Sequence, residues 1–374
     1  MRFSAKWLFA VTALVMAACG SEPDEGGETY LIYDRDNQAG EYRLFERNIE
    51  TLEKIAVGNG ERANLHAGGQ IRITESDPQT KEEIANTMAI EGAKPPAIDY
   101  KVRSDGTVVP LDFHSTIMLT LYHHIEKAEG YFVGLGVDRS LIGKIPIYYY
   151  PKFQILLPLN LLSDNAAYAF TLDAFLIPPT LLLEEVPLAA NRGVIVHEFS
   201  HLIFNRLVHE NERAPEYLIQ PWPDEATNRL RSLDEGVADI FAALQTEDPN
   251  FISTSISNEL FDIDRDLSKE RHYDQDLYDE VRATGKNQYN PYELGSVVAS
   301  TVWAIRSELD DDALAKAVLD TLREFSSVGP EVSAALFFNT LHDNLPDDID
   351  LKKSACSTFK ARLDAIAEDL TCTE

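Results

Sequence analysis

One change in the spacing of apolar residues constrains the fold of this 374-residue chain more than any other feature. Up to about residue 177, most apolar runs are short and are broken by Gly, Asn, Asp or Pro, which is typical of strands and turns. Residues 110–127 are an exception, because their apolar spacing is helical. From Leu188 onward, helical spacing continues over several long stretches. Strands first and helices later indicate an α+β fold with two segregated lobes.

Changes in composition suggest where the segments of the chain begin and end. We predict a signal peptide at residues 1–18, a flexible acidic tether at 19–29, a small β-rich region at 30–107 and a main domain at 108–374. Within the main domain, we expect a sheet lobe up to about residue 205 and a helical lobe after it.

The first nineteen residues have the pattern of an export signal. Arg2 and Lys6 form a basic start, residues 7–15 are apolar, and small residues precede Cys19. Met16-Ala17-Ala18-Cys19 resembles the lipobox of bacterial lipoproteins, although Leu is commoner than Met at its first position. The resemblance implies that Cys19 is lipidated and anchors the protein to a membrane of the bacterial cell envelope. A plain signal peptide followed by an incidental cysteine is the alternative.

The charge of the chain limits its partners. It has 33 basic and 62 acidic residues and a net charge of −29. This charge argues against nucleic acid or an anionic membrane surface as a binding partner. We interpret the acidity as a solvated surface.

Two further cysteines, Cys356 and Cys372, lie close to the end of the chain. If the protein is exported, an oxidising compartment makes a disulfide between them plausible. Two buried free thiols are the alternative.

The sequence His197-Glu198-Phe199-Ser200-His201 lies in one of the helical stretches. Because an α-helix has about 3.6 residues per turn, side chains at i and i+4 lie on one face. Both imidazoles can therefore reach one metal ion, and Glu198 lies where it can meet a water bound to that ion.

A catalytic zinc ion needs three protein ligands and one open position, so a third ligand must come from another segment. Asp234-Glu235-Gly236-Val237-Ala238-Asp239 supplies a candidate. On a helix, Glu235 and Asp239 share a face, so Glu235 can bind the metal while Asp239 accepts the outer N–H of a ligating histidine. The predicted zinc ligands are His197, His201 and Glu235.

These two motifs, in this order, resemble those of the gluzincins, specifically the thermolysin-like and fungalysin-like metallopeptidases. The resemblance covers roughly residues 111–306 and implies a bilobed zincin-type catalytic domain that binds one zinc ion. Asp164-Asn165-Ala166-Ala167-Tyr168 looks like the edge strand that binds the substrate backbone in that family. The resemblance therefore implies a substrate-binding role for Asn165 and Ala166. An Asn that turns a loop before a strand is the other interpretation of Asn165.

The resemblance also identifies a candidate donor for the oxyanion of the reaction. Pro291-Tyr292-Glu293-Leu294-Gly295 is similar to a fungalysin-like helix in which His precedes Gly by three residues. Tyr292 takes the place of that His, and a phenol can donate the same hydrogen bond. The alternative is an ordinary buried tyrosine.

These features together predict a zinc-dependent endopeptidase that hydrolyses peptide bonds outside the cytoplasm. Glu198 would be the catalytic base that activates the zinc-bound water. The alternative is a catalytically weak or inactive surface lipoprotein of the same fold that binds a partner. Hydrolysis of a non-peptide amide or ester also stays open.

The other candidate ligands are interpreted as surface residues, namely His123, His124, His209 and His272. The acidic run at 262–266 suggests calcium, but Leu267 occupies the position where an EF-hand loop needs Gly. A solvated loop is favoured there, and a calcium site has no support.

Overall fold

The computed structural model describes residues 29–36, 39–73, 88–153, 165–179, 186–209, 225–256, 264–283, 289–327 and 331–373. In these residues most strands precede most helices, and the predicted α+β class is confirmed. The predicted signal peptide and Cys19 lie outside the described residues. Among the helices of the described ranges, none is both long and apolar enough to cross a membrane.

Thirteen strands of the described residues form three sheets. The strands are β1 (Thr29–Arg35), β2 (Tyr42–Asn48), β3 (Leu52–Lys54), β4 (Asn59–Gly60), β5 (Ala63–Ala67), β6 (Gln70–Ile73), β7 (Met88–Glu91), β8 (Tyr100–Val102), β9 (Val108–Pro110), β10 (Ile145–Tyr149), β11 (Lys152–Phe153), β12 (Ala167–Ala169) and β13 (Ala174–Ile177). The sheet orders are β2-β1-β9-β8, β12-β13-β10-β5-β4-β3 and β11-β6-β7.

The six-stranded sheet joins segments from both sides of the boundary predicted at residue 107. Strand β10 pairs in parallel with β5 on one side and with β13 on the other. In both β5 and β10 alternate side chains are buried, so the two strands present one apolar face to the core. The predicted boundary therefore divides one sheet, because β3, β4 and β5 precede it and β10, β12 and β13 follow it.

Nine α-helices occur in the described residues. They are α1 (Phe113–Gly134), α2 (Arg139–Ile142), α3 (Arg192–Val208), α4 (Glu225–Thr246), α5 (Gln275–Arg282), α6 (Pro291–Ala304), α7 (Asp311–Glu324), α8 (Ala334–Asn344) and α9 (Ile349–Arg362). Several begin behind a side chain that accepts a backbone N–H of the first turn, including Asp112, Asn191, Asn290 and Asp310. Such caps satisfy N–H groups that have no partner within the helix.

Helix α1 lies in the core, with neighbours in β1, β5 and α3. His123 is 2% exposed and His124 is fully buried, so the prediction that they are surface residues is wrong. The same prediction is wrong for His209, which is 8% exposed, whereas His272 is exposed as predicted. The spacing of adjacent histidines indicated different faces of α1, but both faces are covered.

The two late cysteines form a disulfide. Cys356 of α9 is bonded to Cys372, and their Cα atoms are 5.7 Å apart. Both residues are buried. The predicted pairing is confirmed, and it fixes the end of the described chain against α9.

Candidate metal centre

Helix α3 supplies two of the candidate ligands. Asn191 caps its first turn by accepting the N–H groups of Gly193 and Val194. His197 and His201 lie one turn apart on the same face, and their Nε2 atoms are 3.1 Å from each other. The helical spacing in the sequence thus brings two imidazole nitrogens to one point.

Helix α4 packs against α3 and against α6, and it contributes Glu235. The crossing of α4 and α6 is close at Gly236, where an added Cβ would lie 2.7 Å from the carbonyl oxygen of Gly295. Only a residue without a side chain fits this approach. Since Tyr292 lies about one turn before Gly295 on α6, the same crossing brings Tyr292 into the cleft beside Glu235.

The three candidate ligand atoms have the spacing that a tetrahedral metal ion requires. Glu235 Oε2 is 3.4 Å from His197 Nε2 and 3.6 Å from His201 Nε2. Bonds of about 2.0 Å in tetrahedral directions would place ligand atoms about 3.3 Å apart. Among the described residues, His197, His201 and Glu235 form the one group of His, Cys, Asp or Glu side chains whose ligand atoms all lie close enough together to hold an ion.

Two carboxylates orient the histidines. His197 Nδ1 lies 2.9 Å from Asp239 Oδ1, and His201 Nδ1 lies 2.7 Å from Asp234 Oδ1. Each Nδ1–H therefore donates to a carboxylate, and both Nε2 atoms face Glu235. The Asp239 contact agrees with the sequence prediction, whereas the sequence analysis assigned no role to Asp234.

The electrostatics of the cluster favour a positive charge between these atoms. Burial opposes protonation of His201, but the charges of Asp234 and Glu235 outweigh it and raise the pKa of His201 to about 10. Glu235 Oε2 is buried and has no hydrogen-bond partner among the described residues. A divalent cation would satisfy this oxygen and both histidine nitrogens, so the residues present fit a metal ion such as zinc.

Glu198 lies in the same cleft and is oriented by a strand that the sequence also singled out. Its Oε2 accepts the backbone N–H of Tyr168 in β12, at 2.7 Å. Burial raises the pKa of Glu198 above its ordinary value. A buried carboxylate with a raised pKa, held in one orientation, is suited to accept and return a proton.

Strand β12 is the edge of the six-stranded sheet within the described residues, and Asn165 and Ala166 precede it at the cleft. Asn165 Oδ1 accepts the N–H of Ala166 at 3.0 Å. This bond joins neighbouring residues, and both interpretations of Asn165 stay open. The substrate-binding role of the two residues stays a prediction.

Tyr292 lines the cleft, as expected for a residue that acts there. The negative charge of Glu235, together with burial, raises the pKa of Tyr292 well above its ordinary value. The phenol therefore keeps its proton and can donate a hydrogen bond at any pH at which the protein would work.

Arg265, like Asp234, has no role predicted from the sequence. It lies in the acidic run predicted to be a solvated loop, yet it is only 9% exposed, so that prediction is wrong at this position. Its guanidinium binds both carboxylate oxygens of Asp239 and lies over the ring of Tyr292, 4.6 Å from the ring centroid. The positive charge outweighs burial and lowers the pKa of Asp239 to about 2, which keeps this carboxylate ionised behind His197.

The centre opens into a cavity of about 540 Å³. Apolar side chains line it together with the polar residues described above. We call the segment 251–256, with the side chains of Phe251, Ile252 and Ile256, the apolar wall. Phe251 is close to the metal centre, because its ring centroid is 6.3 Å from that of His197.

No protein-family model and no curated protein matches this chain. Among solved structures, the chain is similar to the precursor of protealysin, a metalloproteinase from Serratia proteamaculans. The similarity has a TM-score of 0.49 at 10% sequence identity, and it covers 86% of this chain and 92% of that chain. The chemistry of the metal centre therefore rests on the side chains of this protein.

Proposed function

We propose that this protein is a zinc-dependent endopeptidase. The observation that carries the proposal is the convergence of His197 Nε2, His201 Nε2 and Glu235 Oε2 at ligand spacing, in the same cleft as the buried carboxylate of Glu198. Three ligands on two helices, with a fourth position facing a cavity, are the arrangement of a catalytic rather than a closed structural site.

The side chains suit the hydrolysis of an amide. Zinc, when bound by the three residues, would lower the pKa of a coordinated water and polarise the carbonyl of the substrate. Glu198 would take a proton from the attacking water and deliver it to the leaving amine. Tyr292 would donate a hydrogen bond to the oxygen that becomes negative.

A peptide is the substrate class that the cleft fits best. Strand β12 has a neighbour on one side only within the described residues, so an extended peptide can add to its free edge through backbone hydrogen bonds. This edge lies next to Glu198, because the backbone N–H of Tyr168 in β12 donates to that carboxylate. Asn165 and Ala166 would contact the backbone of such a peptide.

The proposal also includes the location of the enzyme. Met16-Ala17-Ala18-Cys19 supports lipidation at Cys19 and attachment to the bacterial cell envelope outside the cytoplasm. Incorporation of labelled palmitate into the wild type, and its absence in Cys19→Ala, would test this part separately. Equal labelling of both proteins would contradict it.

Glu198→Gln tests the catalytic part, because the amide keeps the shape of the side chain but cannot act as a base. We expect the variant to retain bound zinc and to lose about 10²- to 10⁴-fold in kcat on casein or a fluorogenic peptide. Zinc content by atomic absorption is the companion measurement. Glu235→Ala serves as the comparison, since it should lose the metal itself.

Two results would contradict the proposal in different ways. Full zinc occupancy with no hydrolysis by the wild type would leave a metal-binding protein without peptidase activity, which would act by binding a partner. Hydrolysis that survives Glu198→Gln unchanged would remove Glu198 from the reaction.

A further inference from the structure

We infer that Asn191 is a positioning residue for the apolar wall, and that Tyr42 of strand β2 holds Asn191 in place. The inference rests on the proposed function, because it assigns to residues outside the metal centre the task of shaping the cleft that receives the substrate. It gives strand β2 of the four-stranded sheet a part in substrate recognition.

Asn191 is fully buried, and its side-chain amide is the centre of a hydrogen-bond network. Its Nδ2 donates to the carbonyl of Phe251 at 2.9 Å and to Ser255 Oγ at 2.9 Å. Its Oδ1 caps α3 and accepts from the hydroxyl of Tyr42 at 2.9 Å. One side chain therefore joins the start of α3 to the apolar wall and to strand β2.

The apolar wall depends on these bonds for its position. Its backbone makes turn hydrogen bonds, in which the N–H groups of Ser255 and Ile256 donate to the carbonyl of Ile252. Phe251 lies directly on α3, since a Cβ added to Gly193 would be 2.6 Å from its ring. The wall is thus held at the start of α3 by the amide of Asn191 and by the packing of Phe251 on Gly193, and Val186 N–H also donates to the carbonyl of Thr254.

Tyr42 connects this network to strand β2. Its hydroxyl donates to Asn191 Oδ1 and accepts the backbone N–H of Arg192 at 3.1 Å. The β1–β2 pair is held against the same region by Arg35, whose guanidinium is 2.8 Å from Asp248 and donates to the carbonyl of Thr246. Two independent contacts therefore dock this hairpin on the segments that border the cleft.

A loss of these bonds should change how a substrate side chain is received rather than the chemistry at the metal. The carbonyl of Phe251 and the hydroxyl of Ser255 would lose their buried donor, and the wall would move away from α3. The three candidate ligands lie on α3 and α4 and keep their own supports, namely Asp234 and Asp239.

The test uses the full chain and the variants Asn191→Asp and Tyr42→Phe. Asp keeps an acceptor for the cap of α3 but cannot donate to Phe251, and Phe removes only the hydroxyl. Tyr33→Phe is the matched control, because the Tyr33 ring stacks on Tyr42 and its hydroxyl makes no hydrogen bond within the described ranges. Hydrogen exchange is measured by mass spectrometry on peptides that cover residues 250–256, together with zinc content.

We expect exchange in residues 250–256 to become about tenfold faster in Asn191→Asp and also faster in Tyr42→Phe, with wild-type zinc content. Tyr33→Phe should match the wild type. On peptides with a large apolar side chain at the cleavage site, KM should rise about fivefold with kcat within about twofold, whereas an alanine peptide should show no change.

Gly193→Ala provides a second route to the same displacement, because its methyl group pushes Phe251 while every bond of Asn191 can still form. Faster exchange in residues 250–256 is expected there too. Unchanged exchange in Asn191→Asp would overturn the inference, whatever the result for Gly193→Ala. If the wild type hydrolyses no peptide, the exchange measurement alone decides the role of Asn191, so the proposed function and the inference fail separately.

Discussion

Asp234 and Asp239 lie on either side of Glu235 along α4, and each accepts Nδ1–H from a different histidine. One helix therefore supplies a candidate ligand and orients the other two. A carboxylate in this position fixes the tautomer of the imidazole and increases the basicity of the nitrogen that faces the metal. Asp239 is itself held by Arg265, whose guanidinium also lies 3.1 Å from His197 Nδ1.

Asp234→Asn should weaken zinc binding about 10- to 100-fold, because a neutral amide supports His201 less well than a carboxylate does. Competition with a zinc chelator of known affinity measures the change. Asp312→Asn, which alters an exposed carboxylate in the first turn of α7, is the control and should leave the affinity unchanged. Equal affinities in the two variants would remove Asp234 from the support of the metal centre.

The candidate site could be predicted from the sequence where its residues follow a local spacing or, as for Tyr292, where a motif resembles that of a known family. His197 and His201, and likewise Glu235 and Asp239, are separated by one helical turn, so their pairing follows from the geometry of a helix. Arg265 could not be found in this way, because it meets Asp239 through the tertiary fold from an irregular polar segment. Its neighbours in the sequence are acidic, which favoured the wrong prediction of a solvated loop.

At the scale of elements, α1 connects the sheets to the helices that carry the metal centre. His124 lies on its buried face, where Nε2 is 3.2 Å from the carbonyl of Ala190, just before α3 begins. Its Nδ1 is buried without a hydrogen-bond partner among the described residues. Burial lowers the pKa of His124 to about 4, so the folded protein resists protonation at this position.

Acid should therefore destabilise the fold through His124. In the unfolded chain its pKa is near the ordinary value of 6.5, so the unfolded state takes up the proton first as the pH falls. The contribution of His124 to the free energy of unfolding is fully present above about pH 6.5 and is lost as the pH falls from there towards 4. Between pH 7 and pH 5 the free energy of unfolding falls by about 2 kcal/mol through this residue. Burial also lowers the pKa of the adjacent His123, to about 3, so urea unfolding at the two pH values must compare the wild type with His124→Gln.

His124→Gln should reduce this pH dependence, although it also lowers stability at both pH values. The exposed His272 supplies the control, and His272→Gln should leave the difference between pH 7 and pH 5 as in the wild type. A difference that is the same in His124→Gln and in the wild type would show that His124 is not its source.

The extents of the helices and strands could be predicted better than the elements against which each of them packs or pairs. The helical spacing of residues 110–127 corresponds to α1, but it could not indicate that α1 is covered on both faces, as the burial of His123 shows. Similarly, the short apolar run at 145–150 is typical of a strand, but it could not indicate that β10 pairs with β5, which lies far earlier in the chain. Pairings of this kind are set by the fold as a whole.

At the scale of the whole molecule, α9 and the residues that follow it contact α6 and the segment before α5. Arg362 of α9 donates to the carbonyl of Ser300 in α6 and accepts the N–H of Tyr273 through its own carbonyl. Tyr273 in turn accepts the N–H of Ala365. The disulfide between Cys356 and Cys372 closes the chain around this contact, at a sequence separation of 16 residues.

Replacing both cysteines by serine should lower the free energy of unfolding by about 3 kcal/mol, as expected for a loop of this length. Denaturant unfolding under oxidising conditions measures the loss, and the wild type under a reducing agent should show a similar one. Zinc content should not change, because neither cysteine belongs to the candidate metal centre. Loss of the metal in the double variant would contradict this separation.

The parallel pairing of β5 with β10 has a consequence for the order in which the protein can fold. Ala63 is paired with Ile145, so a nascent chain that has been synthesised only as far as α1 exposes one edge of β5 without its neighbour. Contacts between residues so far apart form late and slow the folding of a domain, and unpaired strand edges favour aggregation meanwhile. The growing chain should therefore depend on a chaperone from the synthesis of β5 until β10 and β13 have followed.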